Sequence, residues 1–274
     1  MKNSTTLRFI RSPAAPGAWN MAVDEAVLEA LEQDHSPPTL RLYRWQPAAL
    51  SLGFSQPFDD CDPSALARNG WDVVRRPTGG RAILHTDELT YAIVLPLSHP
   101  LAAGGVLPSY QKLSRGLRHG LRELGLDVEV KSQKAAQTID LSNPVCFEVP
   151  SAYELTVQGK KLIGSAQVRR KKSLLQHGSL PLEGDLGRIC DVLHFESETE
   201  QEHARTRLRA RAGTLETLTG RTISWQQASE ALVRGFSLAF EMQFEPGSLT
   251  PTEQEHAEKL MVNRYQQGAW TQRI

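Results

Sequence analysis

Apolar residues Trp19, Val23, Ala26, Val27, Ala30 and Leu31 recur near helical spacing, which predicts a helix over 18–32. A short strand at 7–10 precedes it, and Ser36-Pro37-Pro38 ends the unit. Residues 39–45 then alternate. Leu40, Leu42 and Arg44 fall on one face of a strand, Arg41 and Tyr43 on the other. Further strands are predicted at 49–54, 71–76, 81–84, 89–95 and 126–130, with a helix at 109–124 stopped by Gly125. Residues 132–150 show little periodicity and read as a loop, and long loops in compact domains are often functional.

Strand patterns return at 153–157, 160–168 and 173–180, with Gly159 at a hairpin turn. In a strand beginning near 160, Lys161 and Ile163 point one way and Lys160 and Leu162 the other. One lysine can then face a pocket while its neighbour stays in solvent. The C-terminal quarter reads as helical. Ser224 with Gln227 forms a capping box for a helix to about Phe240. Thr250 and Glu253 form another, with Pro251 at the first helical position and Gly268 as the stop. Strands before residue 181 and helices after it favour an α+β fold.

The 274 residues, with ordinary globular composition, can bury a core without metals or disulfides. Basic and acidic residues balance at 31 each, so bulk attraction to nucleic acid or an anionic membrane is not expected. No apolar run approaches the ~20 residues of a membrane span, and residues 1–11 lack the core of a signal peptide. The expected location is therefore cytoplasmic. Cys61, Cys146 and Cys190 form no CxxC pair, which argues against zinc-knuckle and thioredoxin-type chemistry.

Three motifs can carry chemistry. Arg75-Arg76-Pro77-Thr78-Gly79-Gly80-Arg81-Ala82-Ile83-Leu84-His85 follows a strand. Its glycines would let backbone approach a ligand, and its arginines could hold a phosphate or carboxylate. The same pattern also reads as a hairpin turn with solvated charges. It has neither P-loop nor GxGxxG spacing. Cys146 lies beside Pro144 in the unpatterned stretch. It is either a small buried hydrophobe or an exposed thiol needing a positive neighbour to become a thiolate. Gly159-Lys160-Lys161-Leu162-Ile163-Gly164-Ser165-Ala166-Gln167 offers that neighbour, and its small Gly164-Ser165-Ala166 run leaves room for a bound chain. It also reads as an ordinary hairpin with surface lysines.

Taken together, RRPTGGRAILH, CFEVPSAYEL, GKKLIGSAQ and LLQHGSLPL resemble the lipoate–protein ligase and lipoyl/octanoyl transferase superfamily, related to biotin protein ligase. The match is closest to its octanoyltransferases. Asn20-Met21-Ala22-Val23-Asp24-Glu25-Ala26 and Pro47-Ala48-Ala49-Leu50-Ser51-Leu52-Gly53 fit as well. The resemblance implies an α+β domain with a mixed, largely antiparallel sheet packed by helices, here over 1–248, with a C-terminal helix at 249–274 packed on it. It implies octanoyl transfer from acyl carrier protein to a lysine of glycine cleavage H protein or of the lipoyl domains of 2-oxoacid dehydrogenases. No ATP or metal cofactor is implied. The nucleophile falls on Cys146 and the pocket lysine on Lys161. Arg76, Thr78, Gly79, Gly80, Arg81, His85, Gly164, Ser165 and Ala166 would bind the acyl substrate.

In that expectation Lys161 lowers the thiol pKa of Cys146. The thiolate takes the acyl group from a thioester, and backbone N–H groups near Gly79, Gly80 or 164–166 stabilise the oxyanion. Many ATP-dependent ligases of the superfamily carry a third glycine where Arg81 stands. Such a ligase, an amidotransferase between lipoyl domains, and an inactive acyl- or cofactor-binding module are the competing readings. The basic run Arg169-Arg170-Lys171-Lys172 is either a solvated turn or a contact for an acidic carrier protein. Arg205, Arg207, Arg209 and Arg211 read as a solvated helix face. His85 and His177 read as structural or as proton relays, and Cys61 and Cys190 as structural.

Overall fold

The computed structural model describes residues 6–132 and 153–274. Strand β1 (Thr6–Arg11) leads into helix α1 (Gly17–Glu32), then β2 (Thr39–Tyr43) and β3 (Ala49–Leu52). Helix α2 (Pro63–Asn69) precedes β4 (Asp72–Arg75), β5 (Ile83–His85) and the long β6 (Glu88–Pro96). Next come α3 (Val106–Glu123), β7 (Glu129–Ser132), β8 (Tyr153–Val157), β9 (Lys160–Lys161), β10 (Gly164–Arg169) and β11 (Ser173–Pro181). The chain finishes with α4 (Glu198–Arg211), α5 (Leu215–Thr219), α6 (Trp225–Phe240), β12 (Gln243–Gly247), α7 (Pro251–Leu260) and α8 (Gly268–Thr271).

Six strands form the main sheet in the order β10-β11-β6-β2-β1-β12. The pairings from β10 to β2 are antiparallel, and β1 runs parallel to both β2 and β12. Two smaller sheets, β4-β3-β5 and β7-β8-β9, flank it. The architecture is thus the expected α+β fold around a mixed sheet.

Helices cover both faces of the main sheet, so its inner strands are buried throughout rather than alternately. The alternation survives as a choice of partner. Leu40, Leu42, Leu89, Tyr91 and Ile93 join one core with α3 and α6. Tyr43, Ala92, Val94 and Leu175 join a second core with Met21, Val23, Val27 and Leu28 of α1. Each fully buried Leu or Val contributes on the order of 1.5–3 kcal/mol. Helices α3 and α6 meet backbone to backbone, because a Cβ on Gly235 would lie 2.1 Å from the Gly120 nitrogen.

Several boundaries differ from the periodicity. The strand expected over 160–168 breaks into β9 and β10, and Leu162 and Ile163 at the break are both buried. The strand expected at 126–130 starts later, at Glu129. The last long helix leaves α geometry after Leu260 and continues as a π turn, Met261–Tyr265, while Gly268 opens α8 instead of ending a helix. That turn brings Arg264 and the Tyr265 hydroxyl onto one buried carboxylate, Glu25, each at 2.7 Å. Among the described residues no helix is long and apolar enough to cross a membrane.

Candidate active site

A transverse register row crosses four strands of the main sheet: Gly164 opposite Ser179, Ser179 opposite Thr90, and Thr90 opposite Tyr43. Two residues along lies the row Ala166, His177, Ala92 and Arg41. Residues two apart share a face, so both rows look toward α1 and the sheet β4-β3-β5. The space between is a pocket of about 300 Å³, its mouth included. Gly164 and Ala166 line it at the β10 edge, Ser51, Ile83 and His85 form the opposite wall, and Met21, Tyr43 and Trp45 lie on the inner side.

The walls carry many polar side chains whose polar atoms are spent on one another. Asp24, almost fully buried in α1, accepts from Arg41 Nη1 at 2.8 Å, the Tyr43 hydroxyl at 2.8 Å and His177 Nδ1 at 3.0 Å. Burial pushes the Asp24 carboxyl up, but the His177 hydrogen bond, the Arg41 charge and the Tyr43 hydroxyl outweigh it and hold it below the usual range. Burial pushes the His177 pKa down, with Asp24 opposing only in part. A neutral His177 donating through Nδ1 accepts through Nε2, where the Thr78 hydroxyl sits at 2.7 Å. A second chain runs alongside. Glu88 accepts from Thr90, from Ser179 and from His85 Nδ1 at 2.8 Å. His85 Nε2 then takes the Ser51 hydroxyl at 2.8 Å. The His85 ring stacks on Trp45 with centroids 3.9 Å apart. Each imidazole is thereby locked in one orientation, and a wall of His, Ser, Thr and Tyr offers a ligand mostly carbon.

The arginine motif does not form an open anion cradle. Arg75 is fully buried and donates to the carbonyls of Thr271, Gly53 and Gln56. Arg76 lines the pocket, yet its guanidinium donates to the carbonyls of Ser51, Gly79 and Arg81. Arg81 reaches toward Asp60 at 3.8 Å. Solvated charges on a hairpin are equally absent for Arg75 and Arg76. Gly79 and Gly80 are exposed and lie outside the pocket lining. Gly80 has φ +92°, and a Cβ on Gly53 would lie 1.8 Å from its carbonyl oxygen, so these glycines serve a loop crossing. Thr78 reaches the site only through His177. Ser165 faces away, its oxygen accepting from the Tyr91 hydroxyl at 2.8 Å.

Lys161 stands three residues before Gly164, on β9. It is buried, and its ammonium meets Glu154 of β8 at 3.1 Å. Lys160 points the other way and donates to the Arg209 carbonyl at 2.9 Å. Strand β8 continues the CFEVPSAYEL segment and pairs with β9 through Thr156 opposite Lys161. Cys146, with the rest of 133–152, lies outside the described residues. Cys61 and Cys190 are both buried. Burial, helped by Asp60, pushes the Cys61 thiol up to about 12, which leaves it unreactive at neutral pH. Among the described residues no cluster of His, Cys, Asp or Glu is placed to hold a metal ion.

The basic run is partly consumed by the fold. Arg169 donates to the Ala102 carbonyl at 2.9 Å, and Arg170 pairs with Glu25 and Glu29. Only Lys171 and Lys172 remain exposed. The arginines of α4 are not simply a solvated face either, since Arg205 pairs with Asp191 and Arg209 with Asp185.

Residues 16–237 match the model of the lipoyl protein ligase A/B catalytic domain. The chain belongs to that family. It is 44% identical over 266 residues to a protein of Carboxydothermus hydrogenoformans named octanoyltransferase LipM, covering 97% of this chain and 98% of that protein. A protein of Kyrpidia tusciae with the same name is 42% identical over 272 residues, 98% of this chain and 99% of its own length. The fold matches a crystal structure of lipoate-protein ligase A bound with ATP, with TM-score 0.81, 23% identity and coverage of 98% and 99% of the two chains.

Within this lipoyl protein ligase A/B domain, motif reading named Arg76, His85, Gly164 and Ala166 of the pocket lining and left out most of it. Asp24, Tyr43, Trp45, Ser51, Glu88 and Ser179 were not named as site residues. The available signals were an Asp24-Glu25 pair between the apolar runs 21–23 and 26–28 of a helix, and Arg41 and Tyr43 on the non-leucine face of β2. A buried charge requires a partner, and here each supplies the other's.

Proposed function

We propose that the chain is an octanoyltransferase of protein lipoylation that carries the acyl group on Cys146. The observation that carries this reading is the position of Lys161. One buried ammonium sits on the strand paired to the end of the cysteine motif, three residues from the glycine at the pocket edge. The two relatives named octanoyltransferase LipM support the same activity.

The reaction follows in two balanced steps. The Cys146 thiolate, favoured by the Lys161 ammonium, attacks the carbonyl carbon of an octanoyl thioester on acyl carrier protein. The carrier's thiolate leaves and takes up a proton. The amine of a lysine on a lipoyl domain, or on glycine cleavage H protein, then attacks the enzyme thioester. Cys146 leaves as thiolate, and the new amide nitrogen sheds its proton to solvent. A thioester already carries the activation, so neither ATP nor a metal enters. The tail lies in the carbon-faced pocket, gaining about 0.8 kcal/mol per buried CH₂. Splitting the transfer lets two bulky proteins visit in turn.

Intact mass spectrometry tests the proposal. Enzyme mixed with octanoyl acyl carrier protein and no ATP should gain one octanoyl group, removable by hydroxylamine and absent from Cys146→Ala. Transfer that requires ATP and survives Cys146→Ala would replace this reading with that of a ligase.

A further inference from the structure

Trp45 lines two cavities at once. On one side is the pocket between the main sheet and β3 and β5. On the other is a wider groove of about 870 Å³, mouth included, that Arg44, Asp87, Glu183 and Trp225 also line. The indole is only 5% exposed. Its Nε1 donates to the Thr90 hydroxyl at 2.8 Å, its ring stacks on His85 within 10° of parallel, and the Tyr43 ring lies 5.9 Å away. A side chain held on three sides is a wall rather than a mobile flap.

We propose that Trp45 is the stop that sets acyl-chain length, by separating the acyl pocket from the groove behind it. This rests on the octanoyltransferase reading above. The pocket begins at β10, the edge strand, and crosses β11 and β6 to reach β2. At about 4.8 Å per strand, that is about 14 Å from Gly164 to Tyr43. An extended eight-carbon acyl chain advances about 1.2 Å per bond, or about 8 Å from carbonyl to methyl. Entering over Gly164, it ends over Thr90, the residue whose hydroxyl holds the indole. Two further methylenes bring the chain onto the indole itself. Met21 closes the pocket on the helix side, whereas Trp45 also lines the wider groove. Removing the indole therefore joins the two spaces.

The test offers the enzyme a competing mixture of hexanoyl, octanoyl, decanoyl, dodecanoyl and hexadecanoyl acyl carrier protein and reads the adduct on Cys146 by mass. In the wild type, dodecanoyl loading should fall at least about tenfold below octanoyl loading. Trp45→Ala should raise the dodecanoyl-to-octanoyl ratio at least tenfold. Trp45→Phe, which keeps a ring against His85, should leave the ratio within about twofold, and Met21→Ala should move it less than Trp45→Ala does. A gain of long-chain loading cannot arise from poor folding. Wild-type loading of dodecanoyl as fast as octanoyl overturns the inference without any variant. So does an octanoyl adduct in the wild type with an unchanged ratio in folded Trp45→Ala. No adduct from any thioester would instead sink the transferase reading beneath it.

Discussion

The pocket and the β8-β9 hairpin are built on opposite plans. In the pocket, polar atoms are spent on one another through two hydroxyl–imidazole–carboxylate chains, ending on Asp24 and Glu88, and the ligand meets carbon. On the hairpin, Lys161 carries one buried ammonium three residues before the glycine at the pocket edge, with Glu154 as its counter-ion. The contrast teaches a division of labour. An acyl tail needs a wall whose polar atoms are already paired, since a buried polar group left without a partner is costly. A thiolate needs the reverse, a fixed positive neighbour. On the proposed function, the pocket would carry stability and selectivity, and the hairpin reactivity.

Variants on the two sides should separate these roles. Cys146→Ala should lower ATP-free octanoyl transfer by at least about a thousandfold, with an unchanged thermal midpoint, measured by turnover and by calorimetry. Equal loss of stability would break the contrast. Asp24→Ala leaves Arg41 buried beside a missing carboxylate and should cost about 3–5 kcal/mol in denaturant unfolding. A loss below 1 kcal/mol would show that the buried network is not what holds the wall. Lys161→Ala should slow transfer roughly a hundredfold and slow alkylation of Cys146 at neutral pH. Its effect on the unfolding midpoint should be smaller than that of Asp24→Ala.

The smallest effect is a pH dependence. The folded-state pKa of His177 lies below its unfolded value near 6.5. The unfolded chain therefore binds the extra proton, and the contribution is complete above pH 6.5 and lost as pH falls through the folded pKa. Stability should decline by on the order of 1 kcal/mol between pH 7 and pH 5. His177→Gln should flatten that decline, and an unaltered slope would assign it to another group.

Local chemistry made much of the fold legible. The capping boxes Ser224–Gln227 and Thr250–Glu253 form as read, since each is a hydrogen-bonded exchange within four residues. The turn at Gly159 forms with φ +77°, and the split between Lys160 and Lys161 holds because strand geometry alternates. What escaped depends on distant partners. Strand β12 contains Pro246 and Gly247 and exists because β1 pairs with it. The inner half of the pocket escaped for the same reason: Asp24, Trp45 and Glu88 take their meaning from His177, Thr90 and His85. Arg75 and Arg76 were read for their charge, whereas burial against backbone carbonyls decides their role.

The octanoyl form of the enzyme, freed of carrier protein and nucleotide, is mixed with an unmodified lipoyl domain, and both proteins are followed by mass in a single turnover. The octanoyl group should leave Cys146 and appear on the domain's lysine at matching rates without ATP. An acyl group that stays on the enzyme until ATP is added, or a domain acylated equally well by Cys146→Ala, would contradict it.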